Sequence, residues 1–106
     1  MSTFEKHIAS LIKKRLSVKD PHAEIILFGS KARGDASVDS DWDILILTDK
    51  PVLNHLKEEV YRNELFEIEL ETGEAISAII LSKQDWNRKY SVTPLYMNIQ
   101  KEGIRL

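Results

Sequence analysis

Two aspartates one residue apart, Asp41 and Asp43, follow a small-residue turn, Gly29-Ser30, across a polar stretch. Carboxylates at alternate positions of a strand share a face. Such a pair offers hard oxygen ligands to a divalent cation such as Mg2+. A glycine lets the backbone approach a ligand closely, and the N–H groups after it, with the Ser30 hydroxyl, can hold phosphate oxygens. Metal ions bound by such carboxylates can clamp the attacking and leaving oxygens of an in-line phosphoryl or nucleotidyl transfer. The parts agree on transfer from a nucleoside triphosphate. A lone Gly-Ser or a lone Asp-x-Asp would carry little; the joint placement, each at the end of an apolar run, carries the reading. Arg33 belongs to the same turn and has two readings: it neutralises phosphate charge, or it braces the loop by pairing with Asp35 or Asp39. Ser40 either caps the loop or orients Asp41. Lys31 reads as solvent-facing.

Two strands must position these groups. Ile25-Ile26-Leu27-Phe28 is apolar throughout, as a strand buried on both faces would be, and Gly29 ends it. Residues 30–33 can form a short helical turn that Gly34 closes in a left-handed conformation. Residues 42–47 form the second strand, with Asp41 and Asp43 on one side and Trp42, Ile44 and Ile46 on the other. If these strands are antiparallel neighbours, Gly29-Ser30 and Asp41-Asp43 meet at one edge of the sheet. Trp42 then packs beneath the site.

The remaining elements support this pair. Phe4, Ile8, Leu11, Ile12 and Leu16 form one stripe of a helix over 3–17, with Lys13, Lys14 and Arg15 near its end. Asp20-Pro21 marks a turn, and Thr48-Asp49-Lys50-Pro51 another. Segment 52–72 has helical spacing at Val52, Leu53, Leu56, Val60, Tyr61, Leu65 and Ile68, but Phe66 to Glu71 alternates as a strand would; its Glu and Leu content favours one helix ending at Gly73. A third strand follows over 75–81. Ser82 caps a short helix through Arg88, and Thr93-Pro94 opens a last helix to about Lys101, with Gly103 as its stop. Trp86 and Tyr90 read as packing at the edge of the core, and Tyr96, Met97 and Ile99 as core, with part of a partner surface as their alternative.

The composition sets outer bounds. The chain has 106 residues, one domain's worth, with 42% hydrophobic residues and a net charge of -2. That balance gives no reason to expect a nucleic-acid-coating protein. There is no cysteine, and His7, His22 and His55 lack metal-ligand spacing. No apolar run suits a membrane span or a signal peptide, so a cytoplasmic location is expected.

Gly29-Ser30, Ala32-Arg33-Gly34, Ser40-Asp41 and Asp43-Ile44 together resemble the signature of the minimal nucleotidyltransferases, members of the DNA polymerase β-like nucleotidyltransferase superfamily. The resemblance implies an α/β (α+β) nucleotidyltransferase fold, a small mixed β-sheet flanked by helices. It assigns Gly29, Ser30, Arg33 and Ser40 to the nucleotide and Asp41 and Asp43 to Mg2+, with ATP as substrate and AMP as the group transferred. It also implies an antitoxin-like context, with a small helical HEPN ribonuclease as partner and acceptor. Relatives carry a third carboxylate on a later strand, where this chain has Ser77; Glu67, Glu69, Glu71 and Glu74 are the acids near that strand. A non-catalytic nucleotide-binding module is therefore the alternative to an enzyme.

Overall fold

The computed structural model describes residues 1–49 and 55–106. The expected start of the third helix at Val52 and Leu53, the Lys50-Pro51 half of the turn, and the side chains of His55 and Leu56 lie outside this description. The elements in order are α1 (Thr3–Lys19), β1 (Glu24–Phe28), α2 (Ser30–Arg33), β2 (Trp42–Thr48), α3 (His55–Thr72), β3 (Ile76–Ser82), α4 (Lys83–Arg88), α5 (Pro94–Glu102) and β4 (Ile104–Arg105).

The sheet has the order β3-β2-β1-β4. β1 is antiparallel to β2 and to β4, and β2 is parallel to β3, so the sheet is mixed. Parallel neighbours need a long crossover, which α3 provides. β4 has no counterpart in the sequence reading. It is a two-residue pairing, Ile26 with Arg105 and Leu27 with Ile104, too short to leave a periodic signal.

Helices cover both faces. Ile25 and Leu27 of β1 and Trp42, Ile44 and Ile46 of β2 pack with Ile8, Ile12 and Leu16 of α1 and with Tyr61, Leu65 and Ile68 of α3. Leu45 and Leu47 face the other way, against Trp86 of α4 and Ile99 of α5. The alternation along β2 thus sorts its side chains as the strand period requires. Trp86 stacks with Tyr90 at 6.1 Å between ring centroids and meets Tyr96 at 4.9 Å. Met97 departs from its expected place in the core and is 64% exposed, because the buried side of α5 is the one bearing Ile99. Phe4 is also exposed; the stripe of α1 enters the core only from Ile8 onward.

α1 starts with a capping box: Ser2 Oγ accepts from the Glu5 N–H at 3.1 Å, and the Glu5 carboxylate accepts from the Ser2 N–H at 2.9 Å. The helix continues two residues beyond the expected end, to Lys19. Segment 55–72 is helical, not extended. Arg15 shows why: its guanidinium donates to Glu64, Glu67 and Glu71, which fall on one stripe only at three- and four-residue spacing. Tyr61 ties α3 to the end of α1 by donating to the Asp20 carboxylate at 2.6 Å. Burial and that bond push the Tyr61 hydroxyl well above the usual phenol range. Tyr61→Phe deletes this charge-assisted bond and is expected to cost about 1.5 kcal/mol, read as a lower urea midpoint at unchanged slope. No helix among the described residues is long and apolar enough to cross a membrane.

Candidate active site

Register builds the site. Antiparallel pairing sets Phe28 opposite Asp43, so the next residue, Gly29, falls against the Asp43 side chain. Gly29 has φ 76° and ψ -159°, a region open to glycine alone. A Cβ there would collide with the Asp43 carboxylate, lying 3.1 Å from its Cγ and 3.2 Å from its Cβ. The turn and the carboxylate are thus in direct contact. Ala32 and Arg33 both donate their N–H to the Gly29 carbonyl at 3.1 Å, which winds residues 30–33 into α2. The N–H groups of Ser30 and Lys31 remain at its open start, as at any helix N-terminus. Gly34 closes α2 at φ 82°, the left-handed conformation anticipated for it.

The polar loop is pinned at several points. Ser40 Oγ accepts from the Ser37 N–H at 2.9 Å, and the Ser40 N–H donates to the Ser37 carbonyl at 3.2 Å. Of the two readings of Ser40, the structure shows the loop cap. Arg33 Nε donates to Asp35 at 3.2 Å, so the brace reading of Arg33 holds, with Asp35 as the partner from the loop. Its second partner was not anticipated: Nη1 donates to Glu102 at 3.3 Å, joining the loop to the end of α5. Glu102 is 69 residues from Arg33 and has no motif around it, so only the fold reveals it.

Lys31 is a correction. It is only 6% exposed, with Nζ 5.2 Å from the centroid of the Trp42 ring. The turn of α2 directs its stem over the indole, where a cation–π contact favours the ammonium. Trp42 itself is fully buried beneath the site, and its Nε1 has no hydrogen-bond partner.

Asp43 is half-buried and Asp41 exposed. Burial pushes the Asp43 carboxyl above its ordinary range, the charge of Asp41 adds to this, and Arg33 opposes it. Among the described residues neither carboxylate accepts a hydrogen bond. Two mutually repelling carboxylates without a donor, one partly desolvated, fit a hard divalent cation that offsets both penalties.

Asp43 lies between Phe28 on β1 and Ser77 on β3, which is in register with it. Ser77, where the resemblance places a third carboxylate, thus sits beside Asp43 with a hydroxyl in place of an acid. The neighbouring acids are engaged elsewhere: Glu67 and Glu71 with Arg15, and Glu69 with the Ile76 N–H at 3.0 Å. Glu74 precedes β3 and does not figure among the charges acting on Asp43. Among the described residues no three His, Cys, Asp or Glu side chains are grouped to hold a metal.

No curated protein matches the chain. Among solved structures it is similar to one described as the crystal structure of the toxin-antitoxin with AMP-PNP, with a TM-score of 0.65 and 21% sequence identity over 91% of this chain and 69% of that chain. At that identity the likeness shows the fold, a four-stranded mixed sheet flanked by helices. The nucleotidyltransferase domain family matches residues 9–106, including the Gly29-Ser30 turn, Asp41 and Asp43, and the chain belongs to it.

Proposed function

We propose that this chain transfers a nucleoside monophosphate, AMP from ATP, onto a hydroxyl of a partner protein in a Mg2+-dependent reaction. The observation that carries this reading is the contact between the Gly29 turn and Asp43, which sets a phosphate cradle against a carboxylate pair. Family membership supports the reaction class. The neighbour described as a toxin-antitoxin with AMP-PNP supports an adenine nucleotide and a protein partner; that the partner is a HEPN-type ribonuclease bearing the acceptor hydroxyl rests on the sequence resemblance alone.

The acceptor oxygen takes the α-phosphoryl group and loses its proton, and pyrophosphate leaves. Bound Mg2+ would supply charge neutralisation at the phosphates, held by Asp41 and Asp43. Ser30 and the N–H groups at the start of α2 hold phosphate oxygens. Glu102 and Asp35 fix the Arg33 guanidinium near Asp43, where it offsets part of the local negative charge. Lys31 and Trp42 form the floor that keeps α2 in place.

The test is incubation with ATP labelled at the α- or γ-phosphate, Mg2+ and the partner. Label should pass to the partner from the α position alone, and Asp41→Ala should reduce it by more than about 100-fold. Transfer of γ-label, or no transfer, overturns the proposal. Ser77 favours a second reading, a nucleotide-binding module without turnover, because the strand beside Asp43 brings no acid. That reading predicts MgATP binding with no label transfer by the native chain.

A further inference from the structure

α3 buries one side and leaves another open. Tyr61, Leu65 and Ile68 face the core, whereas Phe66 and Leu70 are 58% and 70% exposed. These two are four residues apart and adjacent on the helix surface. Glu67 and Glu69 flank them on the helix, and the nearby Arg62 is already neutralised by Glu58 at 2.6 Å. Across His55–Thr72 six glutamates stand against Lys57 and Arg62, and Arg15 of α1, paired with Glu64, Glu67 and Glu71, still leaves the carboxylates in excess.

The adjoining edge of the sheet excludes one mode of binding. β3 is an end strand, and an open strand edge invites another strand. Here α3 covers it: Glu69 accepts the Ile76 N–H at 3.0 Å, and Arg62 donates to the Ala78 carbonyl at 3.4 Å. Strand addition at these positions would have to displace both side chains. The open apolar positions lie on the helix, so a helix is the matching occupant. A second copy meeting this face with its own would set like charges against each other, which is costly.

We propose that the Phe66–Leu70 face of α3 docks a Lys/Arg-rich amphipathic helix of the partner protein. α3 ends about 9 Å beyond Phe66 at a 1.5 Å rise per residue, and the chain then leads through Ala75, whose carbonyl accepts from the Trp42 N–H at 2.9 Å, into β3. The inference rests on the protein-acceptor reading but needs no turnover.

The test places a photo-crosslinking p-benzoylphenylalanine at Phe66 of the full chain in its native host, with Ser10 on the exposed side of α1 as control. The cross-linked peptide is sequenced by mass spectrometry. A Lys/Arg-rich helical segment of another protein, joined at position 66 and not at position 10, supports the proposal. A peptide of this same chain, a neutral or acidic segment, equal labelling from both positions, or no product overturns it. Phe66→Glu with Leu70→Glu should weaken the recovered complex by at least about tenfold, without changing MgATP binding by the free chain. Unchanged affinity for the partner also overturns the proposal. Since nothing here reads transfer, loss of docking and loss of the nucleotidyl-transfer reading are separable.

Discussion

Asp43→Asn is expected to reduce α-label transfer by more than about 100-fold while raising the melting temperature of the free protein at pH 7. The first effect follows from the removal of a charged group facing the phosphates, where one such group is worth roughly 3 kcal/mol in the transition state. The second has the opposite sign because Asp43 is held in an unfavourable place. Burial, then the charge of Asp41, raise its carboxyl above the ordinary 3.8. The native state therefore binds a proton more tightly than the unfolded chain does. As pH rises from the unfolded value through the raised native value, the native state is progressively destabilised, and this penalty is present in full at neutral pH. Asparagine keeps the shape and does not ionise. The gain in melting temperature should vanish below about pH 4, where both states are protonated. MgATP should stabilise the native chain and leave Asp43→Asn nearly unmoved. Thermal unfolding from pH 3 to 8, with and without MgATP, checks both. A variant less stable than the native chain at pH 7 would sink the argument.

The same residues show what the sequence could and could not convey. β1, α2 and β2 were readable because their signals are local: an apolar run, a glycine at each end of a four-residue turn, and alternation across Asp41 to Ile46. The antiparallel pairing of β1 and β2 enters the sequence reading as a condition for bringing both ends of the motif together, and the fold meets it and supplies the register. The order of elements in the resembled family points to Ser77 on the third strand, and only the fold shows it in register with Asp43. Glu102 was not readable, because its role arises from α5 ending beside Arg33, a tertiary coincidence with no sequence spacing. Lys31 was misplaced for a related reason. Charge predicts exposure on average, but a long stem above a buried indole can shelter most of its length. Met97 failed through helix phase: one step along α5 separates a buried side from an exposed one.

Gly29→Ala should cost about 3 kcal/mol and abolish MgATP binding. Two costs combine. At φ 76° and ψ -159° a non-glycine residue is strained by roughly 1–3 kcal/mol. The new Cβ also meets the Asp43 carboxylate, so the turn or the metal ligand must shift. Gly34→Ala separates these costs. Its φ of 82° brings backbone strain too, but a Cβ there meets nothing within 4 Å. That variant should lose only about 1 kcal/mol and still bind MgATP. Adding Asp43→Ala to Gly29→Ala removes the collision with the carboxylate, keeps a tight 3.2 Å approach to the remaining Cβ and leaves the strain, so the double variant should be more stable than the sum of the single effects predicts. Urea unfolding of the four species closes the cycle. Additivity within about 0.5 kcal/mol would mean that Gly29 is required by its backbone alone, and that the turn and the carboxylate are not built as one unit.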